Sequence, residues 1–352
     1  MSDSPLQPPQ EPKLRPSWPR IAVRLVFLGI TVVVLYLFLP QIVAFMSESS
    51  QLTSIDWYWY VMMGVLTMGT FVSAWELTRV AVPGISMFVA ATSQLVSNAL
   101  AKVVPGGPVA GGGVYWQMLS VSGVPKGQAA SALAAVSFIS NLVLLSLPGV
   151  AIVIAAVSAP IPDGLLPVAV AGSVLFAFMF AAVFILVKYD AVLLFVGRIV
   201  ARSVGWLARK FHKPWTSTAQ GWLDRRNEVV DALGARWFRA LAAAVLNWLF
   251  EYGVLVAALI GVGAKPRASL VLVAFAGSAV LGMIPLTPGG IGFVEVGLVG
   301  MLVAAGIPGN DATLATLAYR LFQFWIPIPA GLVAYIAFRR RHGRLEDLPA
   351  QA

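Results

Sequence analysis

Long apolar stretches separated by short polar ones dominate the chain, and this pattern predicts membrane-spanning helices. Six stretches are long enough to cross about 30 Å of hydrocarbon: 21–45, 57–81, 128–157, 165–187, 237–262 and 312–338. Two further apolar stretches, 86–122 and 268–305, are each interrupted in the middle by a Pro-Gly-Gly turn. Because each leg of these two stretches is short, we predict re-entrant helical hairpins; two full crossings per stretch are the alternative. The predicted fold is therefore an all-α polytopic membrane protein with six transmembrane helices and two re-entrant hairpins.

The two interrupted stretches are copies of one pattern. The pattern begins with identical turns, 183 residues apart: Pro105-Gly106-Gly107 and Pro288-Gly289-Gly290. In both copies a Gly-Val-Pro or Gly-Ile-Pro sequence follows, at 123–125 and at 306–308. Internal repeats with Gly and Pro interruptions at corresponding places are typical of membrane transporters, in which the broken helices line the binding site.

Composition agrees with a membrane protein and narrows the possible chemistry. The chain is 59% hydrophobic and 11% charged, whereas soluble domains are about a quarter charged. It contains no cysteine and two histidines, His212 and His342, both in basic polar stretches. Disulfides and thiol nucleophiles are therefore excluded, and we expect no histidine-based metal site in the membrane and no cofactor. We also recognise no nucleophile–base pair or catalytic motif, so we expect the protein not to be an enzyme.

Basic residues lie mainly at one set of span ends, which indicates orientation, since cytoplasmic loops are rich in Lys and Arg. The residues assigned to the cytoplasmic side include Arg15, Arg20, Arg24, Arg79, Lys102, Lys126, Arg339, Arg340 and Arg341. On the opposite side only Lys265 and Arg267 are basic. The prediction is a multi-pass protein of the cell membrane with both termini in the cytoplasm.

The same assignment divides the chain into two inverted halves. A Pro-rich tail, predicted to be disordered, occupies residues 1–20, and the first membrane half, with hairpin 86–122, occupies residues 21–187. A basic cytoplasmic or interfacial linker follows at 188–236, and a basic cytoplasmic tail ends the chain at 339–352. Residues 237–338, with hairpin 268–305, complete the second half, which begins with span 165–187. Three crossings per half is an odd number, so the halves are predicted to have opposite orientations in the membrane. A helical bundle with two kinked hairpins and no pathway is the alternative.

Ionisable residues inside the spans are the candidate site residues, because a charge in hydrocarbon is costly. Glu251 lies in the middle of the fifth span and has no partner nearby in the sequence. Glu295 and Arg320 lie on adjoining elements, so they form either a structural ion pair or a site in which Arg320 binds phosphate. A buried structural role and a proton- or cation-linked role are both open for Glu251. Glu76 and Arg79 are three residues apart and are expected to pair at the interface.

The hairpin turns are the second candidate element. A helix that starts just after Gly107 or Gly290 presents free N–H groups and the positive end of its dipole, which suits an anionic headgroup. Glycine is also expected at these positions because positive φ and close backbone approach require it.

The second repeat resembles a known family. It contains, in order, Pro285-x-x-Pro288-Gly289-Gly290-Ile291-Gly292-Phe293-x-Glu295, Gly306-Ile307-Pro308 and Tyr319-Arg320. This pattern resembles the transmembrane domain of lysylphosphatidylglycerol synthases, which also occurs alone as the flippase-like (YbhN-type) family. Asn98, the first Pro-Gly-Gly turn and Gly123 are similar to the first repeat of the family. The resemblance implies a stand-alone member without the soluble synthase domain.

One departure from the family concerns the first repeat. The family usually has an acidic residue and an arginine after this glycine pair, whereas this chain has Gly111-Gly112-Gly113-Val114-Tyr115-Trp116. A later arginine is replaced near Ser137. The departure implies different headgroup contacts in this half and a different substrate.

These observations together predict a lipid translocase that moves a lipid with an anionic or phosphate-bearing headgroup between leaflets. The alternative is a non-transporting membrane partner that presents a lipid to a separate glycosyl- or aminoacyl-transferase; an intramembrane enzyme is a third reading. The expected partner is thus a membrane lipid, and nucleic acid is not expected.

Overall fold

The computed structural model describes residue 52, residues 55–104, 107–158, 162–192, 194–195, 197–199, 227, 234–283 and 287–343. Predictions for the tail 1–20, span 21–45, Pro105, Gly106, most of the linker 188–236 and the tail after residue 343 lie outside the described residues. The described part is helical, without strands. Its main helices are α1 Trp57–Ala81, α2 Met87–Val103, α3 Gly107–Val121, α4 Lys126–Ser158, α5 Leu166–Lys188, α6 Trp237–Gly261, α7 Ala268–Gly282, α8 Phe293–Ala304, α9 Gly309–Arg320 and α10 Pro327–His342.

Among the described residues, four helical segments are long and apolar enough to cross a membrane. They are Trp57–Ala81, Lys126–Ile154, Trp237–Gly261 and Gly309–His342, and they match the second, third, fifth and sixth predicted spans. The predicted span 165–187 corresponds to α5, whose qualifying apolar part, Leu166–Ala182, is shorter. The membrane character is therefore confirmed, with four clear spans in the described part.

Each interrupted stretch forms a pair of short helices. The first stretch contains α2 and α3, which have 17 and 15 residues and pack against each other. The second contains α7 and α8, with 15 and 12 residues, which also pack against each other. At 1.5 Å per residue these helices are roughly 18–26 Å long, shorter than about 30 Å of hydrocarbon.

The sequence repeat has the same local backbone in both copies. Gly123 and Gly306 have φ angles of 93° and 89°. The residue after each glycine donates its N–H to the carbonyl five residues earlier, at 3.1 Å in the first copy and 3.0 Å in the second. This is the glycine helix ending of the Schellman type. The next helix then begins three residues after the glycine in both copies, at Lys126 and at Gly309.

Helices α1 and α6 pack against each other in opposite directions. Three facing positions define the direction: Gly69 with Phe250, Leu66 with Gly253, and Trp59 with Gly261. The glycines allow close approach of the two helices, since a methyl group on Gly69 would lie 2.9 Å from the Phe250 ring. At one end of this pair Glu76 accepts hydrogen bonds from Arg79 at 3.0 Å and from Arg239 at 2.8 Å. The expected Glu76–Arg79 pair is thus confirmed.

One short helix of each pair packs on a predicted span of the opposite half. Helix α2 packs along α10, and α7 packs along α4. This exchange brings the second Pro-Gly-Gly turn, a 3₁₀ turn at Pro288–Gly290, against α2. The candidate site is built around that contact.

The close contact between α2 and α10 generates a first prediction. A methyl group on Gly331 would lie 2.7 Å from the Leu95 carbonyl oxygen and 2.3 Å from the Ala99 Cβ. Neither of these atoms belongs to a flexible side chain that could move aside. Gly331→Ala is therefore expected to lower the thermal unfolding temperature of the purified protein.

Gly300 on α8 is the matched control, since nothing lies within 4 Å of a methyl group built there. Gly300→Ala is expected to leave the unfolding temperature unchanged or raise it, because alanine favours a helix over glycine by about 1 kcal/mol. Equal unfolding temperatures for the two variants would contradict the packing of α2 on α10.

Candidate functional site

A polar cavity of about 490 Å³ lies between the two halves. Its walls come from α1, α2, α3, α4, α6 and the α9–α10 region. Its lining contains one acidic and two basic residues, namely Glu251, Lys102 and Arg320. A polar space of this kind inside a bundle of apolar helices is the place where charged side chains are tolerated in a membrane.

Polar residues reach the cavity because they recur on one face of each helix. Gln94, Asn98 and Lys102 are spaced four residues apart on α2 and all line the cavity. Asn247 and Glu251 have the same spacing on α6. Residues four apart lie on the same side of a helix. These helices are thus apolar toward the lipid and polar toward one shared space.

A smaller cavity of about 160 Å³ lies between the two Pro-Gly-Gly regions. The first region contributes Gly107 and the second contributes Thr287, Gly289 and Gly290. Asn98 and Lys102 line both cavities. The space between the turns is therefore next to the larger polar cavity.

Arg320 and Glu295 form the ion pair that the sequence left open. Arg320 Nε donates to Glu295 Oε1 at 2.6 Å, and Arg320 Nη2 donates to the Gly289 carbonyl at 3.3 Å. Only 11% of the Arg320 side chain and 17% of the Glu295 side chain are exposed. The Arg320 guanidinium also lies 4.6 Å from the centre of the Phe324 ring. Arg320 therefore connects α9, the second turn and the start of α8.

The second turn differs from the expected start of a helix directly after Gly290. Gly289, Gly290 and Gly292 all have positive φ, and α8 begins only at Phe293. The N–H of Gly292 donates to Glu295 Oε2 at 2.8 Å. One of the N–H groups that we expected to be free for an anion is thus bound by the protein's own carboxylate.

Gly107 needs to be glycine for a different reason than Gly290. It lies within α3 and is absent from the residues with positive φ. A methyl group on Gly107 would lie 1.8 Å from the Ala101 carbonyl oxygen. Positive φ is therefore confirmed at Gly290, where it is 73°, whereas close backbone approach is the constraint at Gly107.

Glu251 has a partner that is distant in the sequence. The Tyr319 hydroxyl donates to Glu251 Oε1 at 3.0 Å, and both residues line the large cavity. Tyr319 adjoins Arg320 at the end of α9, so the fold brings two of the predicted site residues, Glu251 and Arg320, to one wall of the cavity.

Lys102 is a site residue that the sequence reasoning missed, because we used it only to assign orientation. Its ammonium group donates to the Gln323 carbonyl and lies 6.0 Å from the centre of the Phe324 ring. Gln323 belongs to a π-helical segment, Leu321–Trp325, that joins α9 to α10. Such segments often occur at functional sites. The spacing of Lys102 from Asn98 was the signal that could have placed Lys102 in the site.

Two polar atoms at the cavity have no hydrogen-bond partner among the described residues. They are Asn98 Oδ1 and Gln323 Nε2, and both atoms are buried. Buried polar atoms are nearly always hydrogen-bonded in folded proteins. These two atoms therefore mark where the wall of the cavity can bind a polar group. Of the other predicted site residues, Pro288 lies in the second turn, while Pro105 and Gly106 lie outside the described residues.

Comparison with known proteins supports a membrane protein. The family described as lysylphosphatidylglycerol synthase TM region matches residues 15–331. The chain belongs to this family. A UPF0104 membrane protein of Methanothermobacter thermautotrophicus is 30% identical to this chain over 90 residues. That match covers 26% of this chain and 27% of the relative, so this chain spans about a quarter of the relative's length. No solved structure matches the chain.

Family membership confirms the resemblance found in the sequence and supports a multi-pass membrane protein. The match concerns the membrane region of the synthases, and the archaeal relative is described only as a membrane protein. A lipid-related membrane function is consistent with both descriptions.

The Arg320–Glu295 pair generates the second prediction. Removing one charge leaves the other unpaired in a poorly solvated place, which costs about 3–5 kcal/mol. Glu295→Gln and Arg320→Gln are each expected to lower the thermal unfolding temperature, and the double variant is expected to recover part of the loss. Arg320→Lys is expected to be intermediate, since one ammonium replaces a fork that reaches both Glu295 and Gly289.

Glu76→Gln is the matched control, because it removes a carboxylate whose side chain is 32% exposed. Exposed pairs contribute at most about 1 kcal/mol. If Arg320→Lys folds like the wild type but fails in lipid transport, the main role of Arg320 is headgroup binding and not support of the turn.

Proposed function

We propose that the protein moves a lipid with an anionic or phosphate-bearing headgroup between the two leaflets. The observation that carries the proposal is the polar cavity of about 490 Å³ inside a bundle of apolar helices. Its volume falls within the roughly 300–1,000 Å³ of small-molecule sites. A headgroup has to leave water in order to cross hydrocarbon, and polar walls replace part of its hydration.

Lys102 is the feature of the cavity that favours an anionic headgroup, in a lining that also contains the carboxyl group of Glu251. Arg320 is neutralised by Glu295, and Glu251 accepts a hydrogen bond from Tyr319. Lys102 forms no ion pair with any described residue. In this proposal Lys102 and the unpartnered Asn98 receive the phosphate region of the lipid. Arg320 supports the same site indirectly, because its hydrogen bond to the Gly289 carbonyl stabilises the second turn.

The packing of the helices supports inverted halves. Helices α1 and α6 are related by the repeat and run in opposite directions against each other. The reciprocal exchange of α2 onto α10 and of α7 onto α4 fits a two-fold axis in the membrane plane. Inverted halves allow alternating access around a fixed central site. The short hairpin helices support re-entrant hairpins in both halves.

A non-transporting role is the alternative that the test has to separate. A partner that presents a lipid to a transferase needs the same cavity but does not need a path to the second leaflet. Binding without transport is therefore the result that favours this alternative.

The third prediction concerns Lys102. Purified protein reconstituted into vesicles is expected to move fluorescent phosphatidylglycerol from the inner to the outer leaflet, where a membrane-impermeant reductant quenches it. Lys102→Gln is expected to slow this movement several-fold, because the amide retains a donor but loses the charge that attracts the phosphate.

Lys265→Gln is the matched control, since it removes the same charge from an exposed position outside the cavity. It is expected to transport like the wild type. Wild-type protein that binds phosphatidylglycerol but moves no lipid would contradict the translocase and favour lipid presentation.

The fourth prediction is the orientation of the chain. Because Arg339, Arg340 and Arg341 follow the last span, the C-terminus is expected to be cytoplasmic, as is the N-terminus. The chain has no cysteine, so single cysteines introduced near each terminus and at the exposed Lys265 can be labelled in intact cells with an impermeant reagent. Labelling at position 265 alone is the expected result; external labelling of either terminus would contradict the inverted arrangement.

A further inference from the structure

The large polar cavity is lined by two positions of the first half that correspond to the Arg320–Glu295 pair of the second half. A shift of 183 residues, the spacing of the repeat, relates Glu295 to Gly112 and Arg320 to Ser137. Gly112 and Ser137 both line the polar cavity. The first half thus has two small residues at the positions that carry a carboxylate and a guanidinium in the second.

The backbone supports this register. Helix α9 begins at Gly309, which is 183 residues after Lys126 at the start of α4. Gly123 and Gly306 have nearly the same φ at the turn before these helices. Gly112 therefore lies on α3 at the level that Glu295 occupies on α8.

The space at these positions is open in the first half. A methyl group on Gly112 would have no atom within 4 Å, whereas one on its neighbour Gly111 would lie 2.5 Å from the Ser97 carbonyl oxygen. Gly112 therefore faces open space, and Gly111 faces a packed helix. Ser137 is exposed on the cavity wall.

The corresponding region of the second half is filled. Gln94, which lines the cavity, is related by the repeat to Gly277, and that glycine faces Met301 and Val168. Asn98 is related to Leu281, which faces Gly297. The polar residues Gln94 and Asn98 of the first half thus line the cavity between the halves, whereas the corresponding residues of the second half pack against apolar residues.

We infer that Gly112 and Ser137 are specificity-determining positions, which leave room and omit a carboxylate so that an anionic, phosphate-bearing headgroup reaches Lys102. This inference rests on the proposed function for its ligand. A carboxylate at position 112 would exclude an anionic group by repulsion as well as by volume. The side chains at 112 and 137 therefore set both the size and the charge of the site.

The fifth prediction concerns variants that place a glutamate and an arginine at positions 112 and 137, where the first half lacks the ion pair. In the cysteine-free chain, Asn247→Cys places a reporter on the part of the cavity wall that α6 contributes. Adding G112E and S137R together is expected to slow labelling of this reporter by a small, neutral, water-soluble thiol reagent several-fold. Unchanged labelling in a folded double variant would overturn the inference.

Gly113 provides the control, because it is exposed, has nothing within 4 Å of a built methyl group, and does not line the cavity. Gly113→Glu is expected to leave the labelling rate unchanged. If the double variant does not fold, Gly112→Leu fills the space without charge, and Gly113→Leu is its control. Equal labelling of these two leucine variants would also overturn the inference.

Lipid selectivity separates the role of charge from the role of volume. In vesicles, G112E is expected to reduce movement of phosphatidylglycerol several-fold more than movement of phosphatidylcholine, whereas Gly112→Leu reduces both to a similar extent. Wild-type selectivity in G112E would overturn the specificity role. Slower labelling in the double variant together with no lipid movement by the wild type would support the position of the cavity while refuting the translocase.

Discussion

The second Pro-Gly-Gly turn is stabilised by Arg320 and Glu295, which provide hydrogen-bond partners for its backbone. Helical hydrogen bonding stops there, and polar groups away from water need partners within the protein. Arg320 donates to the Gly289 carbonyl, while Glu295 accepts from the Gly292 N–H. Little of either side chain is exposed, and their ion pair joins the end of α9 to the start of α8, next to the turn. The position of the turn against α2, and thus the wall between the two cavities, depends on this pair.

The break in the first half has no corresponding ion pair, since Gly112 and Ser137 stand at the positions that correspond to Glu295 and Arg320. Its break lies beside Gly107, which lets the backbone approach Ala101 closely. Small residues at 112 and 137 then leave the space that α3 and α4 enclose open to polar groups. The two copies of the sequence repeat therefore differ at these positions: an ion pair occupies them in the second half, and small residues that line the polar cavity occupy them in the first. Side-chain volume and charge contribute to this asymmetry, since the helix endings at Gly123 and Gly306 have nearly the same conformation in both copies.

Much of the fold could be predicted from the sequence, because helix length and apolar composition are local properties. The bounds predicted for the span 57–81 agree with α1, and the repeat placed both glycine helix ends correctly. The Arg320–Glu295 pair was expected as one of two possibilities, since only a short turn separates their helices. Lys102 was used only to assign orientation; its partner, Gln323, lies 221 residues away, so its spacing from Asn98 was the local signal for a place in the site. No local pattern predicts that α2 packs on α10, and the wall of the cavity depends on that long-range contact.

The two basic residues of the candidate site, Lys102 and Arg320, contact the same aromatic ring, and in the proposed function this contact couples the two halves. Lys102 and Arg320 lie 6.0 Å and 4.6 Å from the centre of the Phe324 ring. Lys102 also donates to the Gln323 carbonyl, which belongs to the π-helical segment between α9 and α10. In the proposed function a phosphate competes with that carbonyl for Lys102. Binding in the first half then changes the hydrogen bonding of a segment that adjoins Arg320, the residue that holds the turn of the second half. A headgroup need not touch the second turn directly in order to act on it.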